Sequence, residues 1–116
     1  MTDVTIYHNP RCSKSLETLA LLENTDANIT IIKYLDTPPS VDTLQQILTQ
    51  LGFDSARQLM RTKEAIYKEL GLKEENKEAA LLSAMIENPK LIERPIVLAN
   101  GKAAIGRPPE SVLAIL

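Results

Sequence analysis

Residues 4–15, which read VTIYHNPRCSKS, decide the fold and contain the single cysteine of the sequence. Their first four side chains are β-branched or aromatic, which is typical of a short strand. Asn9-Pro10 ends that strand, because proline lacks an amide donor and restricts the residue before it. Apolar residues then recur at helical spacing and predict a helix over residues 13–23. Cys12 is therefore predicted to lie at the N-terminal end of this helix.

Three more strands and a last helix are predicted on either side of a central segment. Ile, Thr and Tyr favour a strand over residues 29–35, which completes a βαβ unit. Asn100-Gly101 is the strongest two-residue hairpin signal, and it predicts strands over residues 96–99 and 102–105. A final helix is expected, with Pro109 in its first turn. A βαβ unit followed by a ββα unit predicts an α/β fold with a small mixed sheet, which is the plan of thioredoxin-like folds.

The central segment is predicted to be helical. Ser40 is suited to cap a helix whose apolar residues follow the i, i+3, i+4, i+7 pattern, and Gly52 is suited to end it. Residues 54–88 are expected to form shorter helical pieces. Because no linker rich in Gly, Ser or Pro sets this segment apart, we interpret residues of about 41–89 as a helical insertion within one domain of residues 1–116.

Composition and charge exclude several classes of protein. The 116 residues include 13 basic and 15 acidic ones, so the chain lacks the basic excess typical of nucleic-acid binding. One cysteine excludes an internal disulfide, and with one histidine it does not supply the usual ligands of zinc, so neither a metal nor a bound cofactor is predicted. No signal peptide or bilayer-spanning run is recognisable, which predicts a cytoplasmic protein without membrane contact and with a reduced thiol.

Cys12 is the candidate nucleophile. Amides at a helix N-terminus and the flanking cations of Arg11 and Lys14 favour the thiolate. Ser13 and Ser15 add hydroxyl donors within one turn. The alternative is a buried cysteine that packs as a small apolar side chain.

His8 and the absence of a second cysteine bear on how Cys12 would react. His8 lies four residues earlier and is expected either to hydrogen-bond to the thiol or its loop, or to be an exposed residue at the end of the strand. Without a C-x-x-C pair, an oxidised or covalent state of Cys12 has to be resolved by an external thiol. Glutathione, glutaredoxin or thioredoxin is therefore expected as a partner.

Arginines are candidates for binding a small oxyanion. Arg94 and Arg107 lie at the edges of predicted strands, and Arg61 lies at a break between helical pieces. Guanidinium groups brought together near a thiolate would match the oxygens of such an anion, although solvated surface arginines are also common. Arg57 is interpreted as solvated. A phosphatase-type C-x5-R loop is excluded, because its arginine position holds Thr18.

Several separated stretches resemble the glutaredoxin-linked arsenate reductase family, which has the thioredoxin fold. They are TIYHNPRCSKS, IIKYLDTPPS, LIERPIVL and GRPPE, and the resemblance extends from about Thr5 to the last helix. The resemblance implies that Cys12 attacks arsenate, that glutathione attacks the adduct, and that glutaredoxin reduces the mixed disulfide to release arsenite. It implies that His8 lowers the thiol pKa, that Ser15 is the family's serine, and that Pro95 follows a cis peptide bond. The anion-binding arginines that it implies are Arg61, Arg94 and Arg107.

One departure from the family pattern keeps other functions open. Characterised members usually have arginine directly after the serine that matches Ser15, whereas this chain has Leu16. The short chain is similar to the chromosomal members of the family. Two alternatives are a glutathione-dependent oxidoreductase of another substrate and a noncatalytic protein-binding or regulatory member of the fold. The regulatory members commonly carry a C-x-x-C switch, which is absent here.

Overall fold

The computed structural model describes residues 2–116, which cluster into two compact units. One unit comprises residues 2–37 and Arg94–Leu116, and the other is Pro38–Glu93. The second unit corresponds to the predicted helical insertion, with boundaries a few residues outside 41–89. The assignment of the whole chain to a single domain stays a prediction. Among the described residues, no helix has both the length and the apolar character needed to cross a bilayer.

A four-stranded mixed sheet forms the first unit. Its strands are β1 (Asp3–Tyr7), β2 (Asn28–Ile32), β3 (Ile96–Ala99) and β4 (Lys102–Ile105), in the spatial order β2-β1-β3-β4. β1 pairs with β2 in parallel, whereas β3 is antiparallel to both β1 and β4. The sheet confirms the predicted βαβ and ββα organisation.

The register of the sheet brings three loops to the same end of the strands. Tyr7, the last residue of β1, pairs with Ile96, the first residue of β3, and Ile96 pairs in turn with Ile105 at the end of β4. The chain after β1, before β3 and after β4 therefore lies at the same end of the sheet. These are the segments that carry the predicted cysteine and two of the predicted arginines.

The helix α1 (Ser13–Glu23) and a C-terminal 3₁₀ segment (Pro109–Ile115) pack with the sheet. Their shared core consists of fully or almost fully buried apolar side chains, of which each Val, Ile or Leu contributes roughly 1.5–3 kcal/mol relative to exposure. The core residues are Val4, Ile6, Leu22, Val97, Ala99 and Val112. This core packs the C-terminal half of α1 against the sheet.

Two predicted elements of the first unit differ from the structure. β2 ends at Ile32 instead of residue 35, because Asp36 and Thr37 donate backbone hydrogen bonds of 3.0 and 2.9 Å to the Lys33 carbonyl and close a turn there. The last helix is a 3₁₀ segment, in which Ser111 donates to the carbonyl of Pro108 with i to i+3 spacing. Pro109 is in its first turn, as predicted.

The second unit contains α2 (Val41–Leu51), α3 (Ala65–Glu69) and α4 (Glu78–Glu87), joined by 3₁₀ turns. The Thr43 amide donates to the Ser40 hydroxyl over 3.1 Å, and Gly52 ends α2 in the left-handed conformation with φ 75°. Both cap predictions are confirmed. Side chains of the predicted apolar face, Leu44, Ile47 and Leu48, are buried.

Arg57 was interpreted as a solvated arginine, and this interpretation is wrong. Its Nη2 donates to the carbonyls of Leu72 and Glu75 over 2.9 and 2.5 Å, and its Nε donates to the Tyr67 hydroxyl over 3.3 Å. Short helical turns leave carbonyls without intrahelical donors. Arg57 adds side-chain donors at the end of one such turn and links it to Tyr67.

Candidate active site

The loop between β1 and α1 is a hydrogen-bonded turn that ends at Cys12. The Cys12 amide donates to the Asn9 carbonyl over 3.0 Å, and the Arg11 amide donates to Asn9 Oδ1 over 3.0 Å. The Leu16 amide donates to the Cys12 carbonyl, which makes Cys12 the N-cap residue of α1. The predicted position of the cysteine at the helix N-terminus is confirmed, and the residue is only 9% exposed.

Opposing effects set the pKa of Cys12. Burial raises the pKa, because it disfavours the thiolate. Hydrogen bonding by the Ser15 amide, the positive charge of Arg94, the Lys14 amide and the charge of Arg107 act in the other direction. Together they outweigh burial and lower the pKa of the thiol below its usual value. The thiolate of Cys12 is therefore more stable than that of an isolated cysteine.

Arg107 connects the sulfur to the loop before β3. Its Nη2 lies 3.9 Å from Cys12 Sγ, and its Nε donates to the Arg94 carbonyl over 2.9 Å. The Arg94 residue is half-buried, whereas Arg107 is exposed. An oxyanion that meets the sulfur would come within reach of guanidinium donors that are already in place.

Gly106 allows this arrangement. Its amide donates to the Pro95 carbonyl over 3.0 Å. A Cβ at this position would overlap Thr18 Oγ1 and lie 2.7 Å from Pro95 Cγ, so only glycine fits between α1 and the loop before β3. The peptide bond of Arg94-Pro95 is cis, as the resemblance implied, and that of Arg107-Pro108 is also cis.

His8 acts on the cysteine loop through Ser15. Its Nδ1 lies 2.6 Å from Ser15 Oγ, which also accepts a 3.0 Å hydrogen bond from the Asn9 amide. Both side chains are buried. Of the two possibilities for His8, hydrogen bonding to the loop is the one observed, and the exposed alternative is wrong.

The imidazole of His8 is held in its neutral form. Burial lowers the pKa of His8, the Lys33 ammonium lowers it further, and Glu23 opposes them. The pair of His8 and Ser15 is thus a neutral, buried link between the end of β1 and the first turn of α1. It fixes the loop between β1 and α1 through the Ser15 hydroxyl.

Comparison with known proteins decides the family. The sequence profile of the ArsC family matches residues 7–115. The chain belongs to the ArsC family. It is 53% identical to the arsenate reductase of Neisseria meningitidis (serogroup A, strain Z2491) over 117 residues, covering 100% of both chains. It is 58% identical over 114 residues to the protein called YfgD from Escherichia coli (strain K12), covering 97% of this chain and 96% of that one.

A solved relative has the same fold. The structure described as a putative arsenate reductase from Yersinia pestis superposes with a TM-score of 0.94 at 63% identity. The match covers 97% of this chain and 100% of that one. The thioredoxin-like α/β fold of the ArsC family, predicted from the order of elements, is confirmed.

Arg61 lies in the second unit, whereas Cys12, Arg94 and Arg107 belong to the first. Its Nη1 donates to Glu64 Oε1 over 2.7 Å, and both side chains are about one quarter exposed, at 26% and 28%. The Arg61 amide donates to the Leu91 carbonyl over 2.7 Å, which fixes the backbone there. Its participation in an anion site of the ArsC type stays a prediction.

Sequence reasoning missed three features of the first unit. It credited the side chains of Arg11 and Lys14 with stabilising the thiolate, whereas the charges that lower the pKa are those of Arg94 and Arg107. Lys14 contributes through its amide, and its exposed ammonium lies 3.7 Å from Glu17. The sequence also gave no role to Gly106, although a glycine directly before a candidate ligand is a sign of close packing.

Within residues 2–116, no three His, Cys, Asp or Glu side chains are grouped to hold a metal.

Proposed function

We propose that this ArsC-family protein reduces arsenate to arsenite, with Cys12 as nucleophile and with glutathione and glutaredoxin as external reductants. One observation carries the proposal: a thiol with a lowered pKa lies 3.9 Å from the Arg107 guanidinium. In this proposal the nucleophile and one ligand of the oxyanion are neighbours in the fold. The arsenate reductase name of the Neisseria meningitidis relative, at 53% identity, supports arsenate as that oxyanion.

The proposed reaction begins with the Cys12 thiolate. The sulfur attacks arsenic, an S–As bond forms, and an arsenate oxygen leaves as water after protonation. A glutathione thiolate then attacks the Cys12 sulfur. The S–As bond breaks with its electron pair going to arsenic, which is reduced from the +5 to the +3 state and leaves as arsenite. Cys12 remains as a mixed disulfide with glutathione.

Glutaredoxin completes the cycle in this proposal. Its thiolate attacks the glutathione sulfur of the mixed disulfide, so that Cys12 leaves as a thiolate and a glutaredoxin–glutathione disulfide forms. A second glutathione reduces that disulfide. In the net reaction two glutathione molecules are oxidised to glutathione disulfide, which supplies the two electrons that reduce each arsenate. A reducing compartment such as the cytoplasm is where this donor system and a free Cys12 thiol would coexist.

The arginines and the buried pair have different roles in the proposal. Arg94 and Arg107 hold the oxyanion and stabilise the thiolate, and Arg61 is proposed as a third anion ligand. His8 and Ser15 are positioning residues, because His8 reaches the cysteine loop through the Ser15 hydroxyl.

Leu16 favours a second candidate function. It lies in the first turn of α1 and is 49% exposed, at the position where characterised relatives are expected to have arginine. An apolar side chain here suits a glutathione-dependent oxidoreductase that acts on an organic disulfide. Faster turnover of a glutathione mixed disulfide than of arsenate would favour this candidate. A Cys12 thiol whose pKa lies near that of a free cysteine, about 8.5, would instead indicate a noncatalytic member of the fold.

The test of the proposal is arsenite production by the purified protein with glutathione and glutaredoxin supplied. The wild-type protein is expected to turn over, whereas Cys12→Ser is expected to be inactive while remaining folded. Absence of arsenite with the wild type would overturn the proposal.

A further inference from the structure

A groove in the first unit lies on the β2 side of β1, next to the cysteine loop. Its volume is about 280 Å³, close to the lower limit of roughly 300 Å³ for small-molecule sites. One wall is the loop after β1, with His8 and Arg11, and the other is the turn after β2, with Lys33, Leu35 and Asp36. The groove is open to a molecule of the size of a short peptide.

Backbone hydrogen bonds hold both walls. The His8 amide donates to the Ile32 carbonyl over 2.8 Å, which places Lys33 beside the end of β1. The turn closed on the Lys33 carbonyl fixes Asp36, and the bond from the Arg11 amide to Asn9 Oδ1 fixes the opposite loop. The positions of both walls are therefore set by the backbone.

Side chains of the groove combine two cations, one carboxylate and an apolar surface. Arg11, Lys33 and Asp36 are exposed, and Leu35 exposes 40% of its surface. Besides burial, the charge of Lys33 lowers the pKa of His8, so this ammonium is close to the groove wall. The combination complements a small molecule that carries carboxylates together with an ammonium group.

The order of the strands separates this groove from the oxyanion ligands. Cys12 follows β1, which lies between β2 and β3. Arg94 and Arg107 adjoin β3 and β4 on one side, whereas the groove lies on the β2 side. The groove and the two arginines therefore flank β1 on opposite sides.

We propose that the groove binds the peptide thiol that reduces the Cys12 adduct, with Arg11 and Lys33 holding its carboxylates and Asp36 holding its ammonium group. The inference rests on the proposed function and adds to it the location of the electron donor. Arg11 is the covalent neighbour of Cys12, and an extended tripeptide spans up to about 10 Å. A tripeptide thiol that binds Arg11 can therefore bring its sulfur to the cysteine.

Steady-state kinetics test the inference during turnover. In Arg11→Ala and Lys33→Ala, the kcat/KM for glutathione divided by that for 2-mercaptoethanol is expected to fall about twofold to fivefold, which is the effect of one exposed ion pair. Lys102→Ala removes an exposed lysine from β4 as a matched control and is expected to leave the ratio as in the wild type. An unchanged ratio in both groove variants would overturn the inference while leaving arsenate reduction intact. A loss confined to the KM for glutaredoxin would identify a protein contact and would also overturn it.

Binding of a nonreactive probe tests the groove without turnover. S-methylglutathione added to the Cys12→Ser protein is expected to shift the backbone NMR signals of residues 8–11 and 33–36. Lys33→Glu is expected to raise the Kd at least threefold to tenfold. Saturable shifts at these residues, together with a wild-type protein that does not reduce arsenate, would refute the proposed function and retain the groove. No saturable shifts, or shifts centred elsewhere, would refute the groove.

Discussion

Replacing Arg107 with alanine should make the Cys12 thiolate less stable. The Nη2 group lies 3.9 Å from Sγ, and the positive charge of Arg107 is one of the effects that lower the pKa of Cys12. The expected result is a pH titration of the thiol that moves to higher pH in Arg107→Ala.

The size of the effect follows from the distance. Two unit charges 3.9 Å apart attract by about 1 kcal/mol in water and by more in a protein interior. Because Arg107 is exposed, the value in water is the appropriate one. A loss of about 1 kcal/mol lowers the ratio of thiolate to thiol about sixfold at a given pH.

The ultraviolet absorbance of the thiolate, measured against pH and corrected with Cys12→Ser, reports that ratio directly. Arg107→Lys keeps a positive charge and is expected to show a smaller change. Arg11→Ala removes the cation next to Cys12 in sequence and is expected to titrate like the wild type. If Arg107→Ala titrates like the wild type, or if Arg11→Ala shows the larger shift, the electrostatic account of the thiolate is wrong.

Three further predictions address packing, positioning and anion binding. Gly106→Ala is expected to lower the free energy of unfolding by about 1–3 kcal/mol, because the new Cβ would overlap Thr18 Oγ1. Chemical denaturation measures this loss, and adding Thr18→Ala to the same chain is expected to recover part of it. Ser15→Ala is expected to lower the free energy of unfolding by about 1–3 kcal/mol, because it removes the hydrogen-bond partner of a buried imidazole. The pH titration of Cys12 in this variant is expected to stay close to that of the wild type, since the Ser15 amide remains. A shift like that of Arg107→Ala would contradict this. Arg94→Ala and Arg61→Ala are each expected to raise the KM for arsenate about tenfold or more with the circular dichroism spectrum retained, and an unchanged KM would remove that residue from the anion site.

Local sequence patterns predict an element correctly where the backbone preferences of its own residues determine the structure. The hairpin of β3 and β4 was predicted to the residue, because Asn100 and Gly101 adopt the positive φ of 54° and 74° that such a turn requires. β2 was predicted too long, because Tyr34 and Leu35 favour a strand by composition. In the structure the chain turns at Lys33, and the Tyr34 side chain is buried by tertiary packing.

The sequence predicts the part of the candidate site that is formed by neighbouring residues. It does not show which distant residues the sheet brings to Cys12. A proline before Cys12 and apolar periodicity after it located the cysteine at a helix start. Arg107 is 95 residues away from Cys12, so only the register of the sheet shows that it reaches the sulfur. The sequence analysis assigns the stabilisation of the thiolate to Arg11 and Lys14, because a sequence shows only which residues are close along the chain.

A single turnover tests the central claim most directly. Wild-type protein mixed with arsenate and glutathione, without glutaredoxin, is expected to release one arsenite per Cys12 and to retain one glutathione as a mixed disulfide at Cys12, detected by intact mass and peptide mapping. Glutathione without arsenate is expected to leave the thiol free, because no oxidant is present. Arsenite formed without the mixed disulfide, or no arsenite at all, would contradict the assignment of Cys12 as the nucleophile that arsenate oxidises.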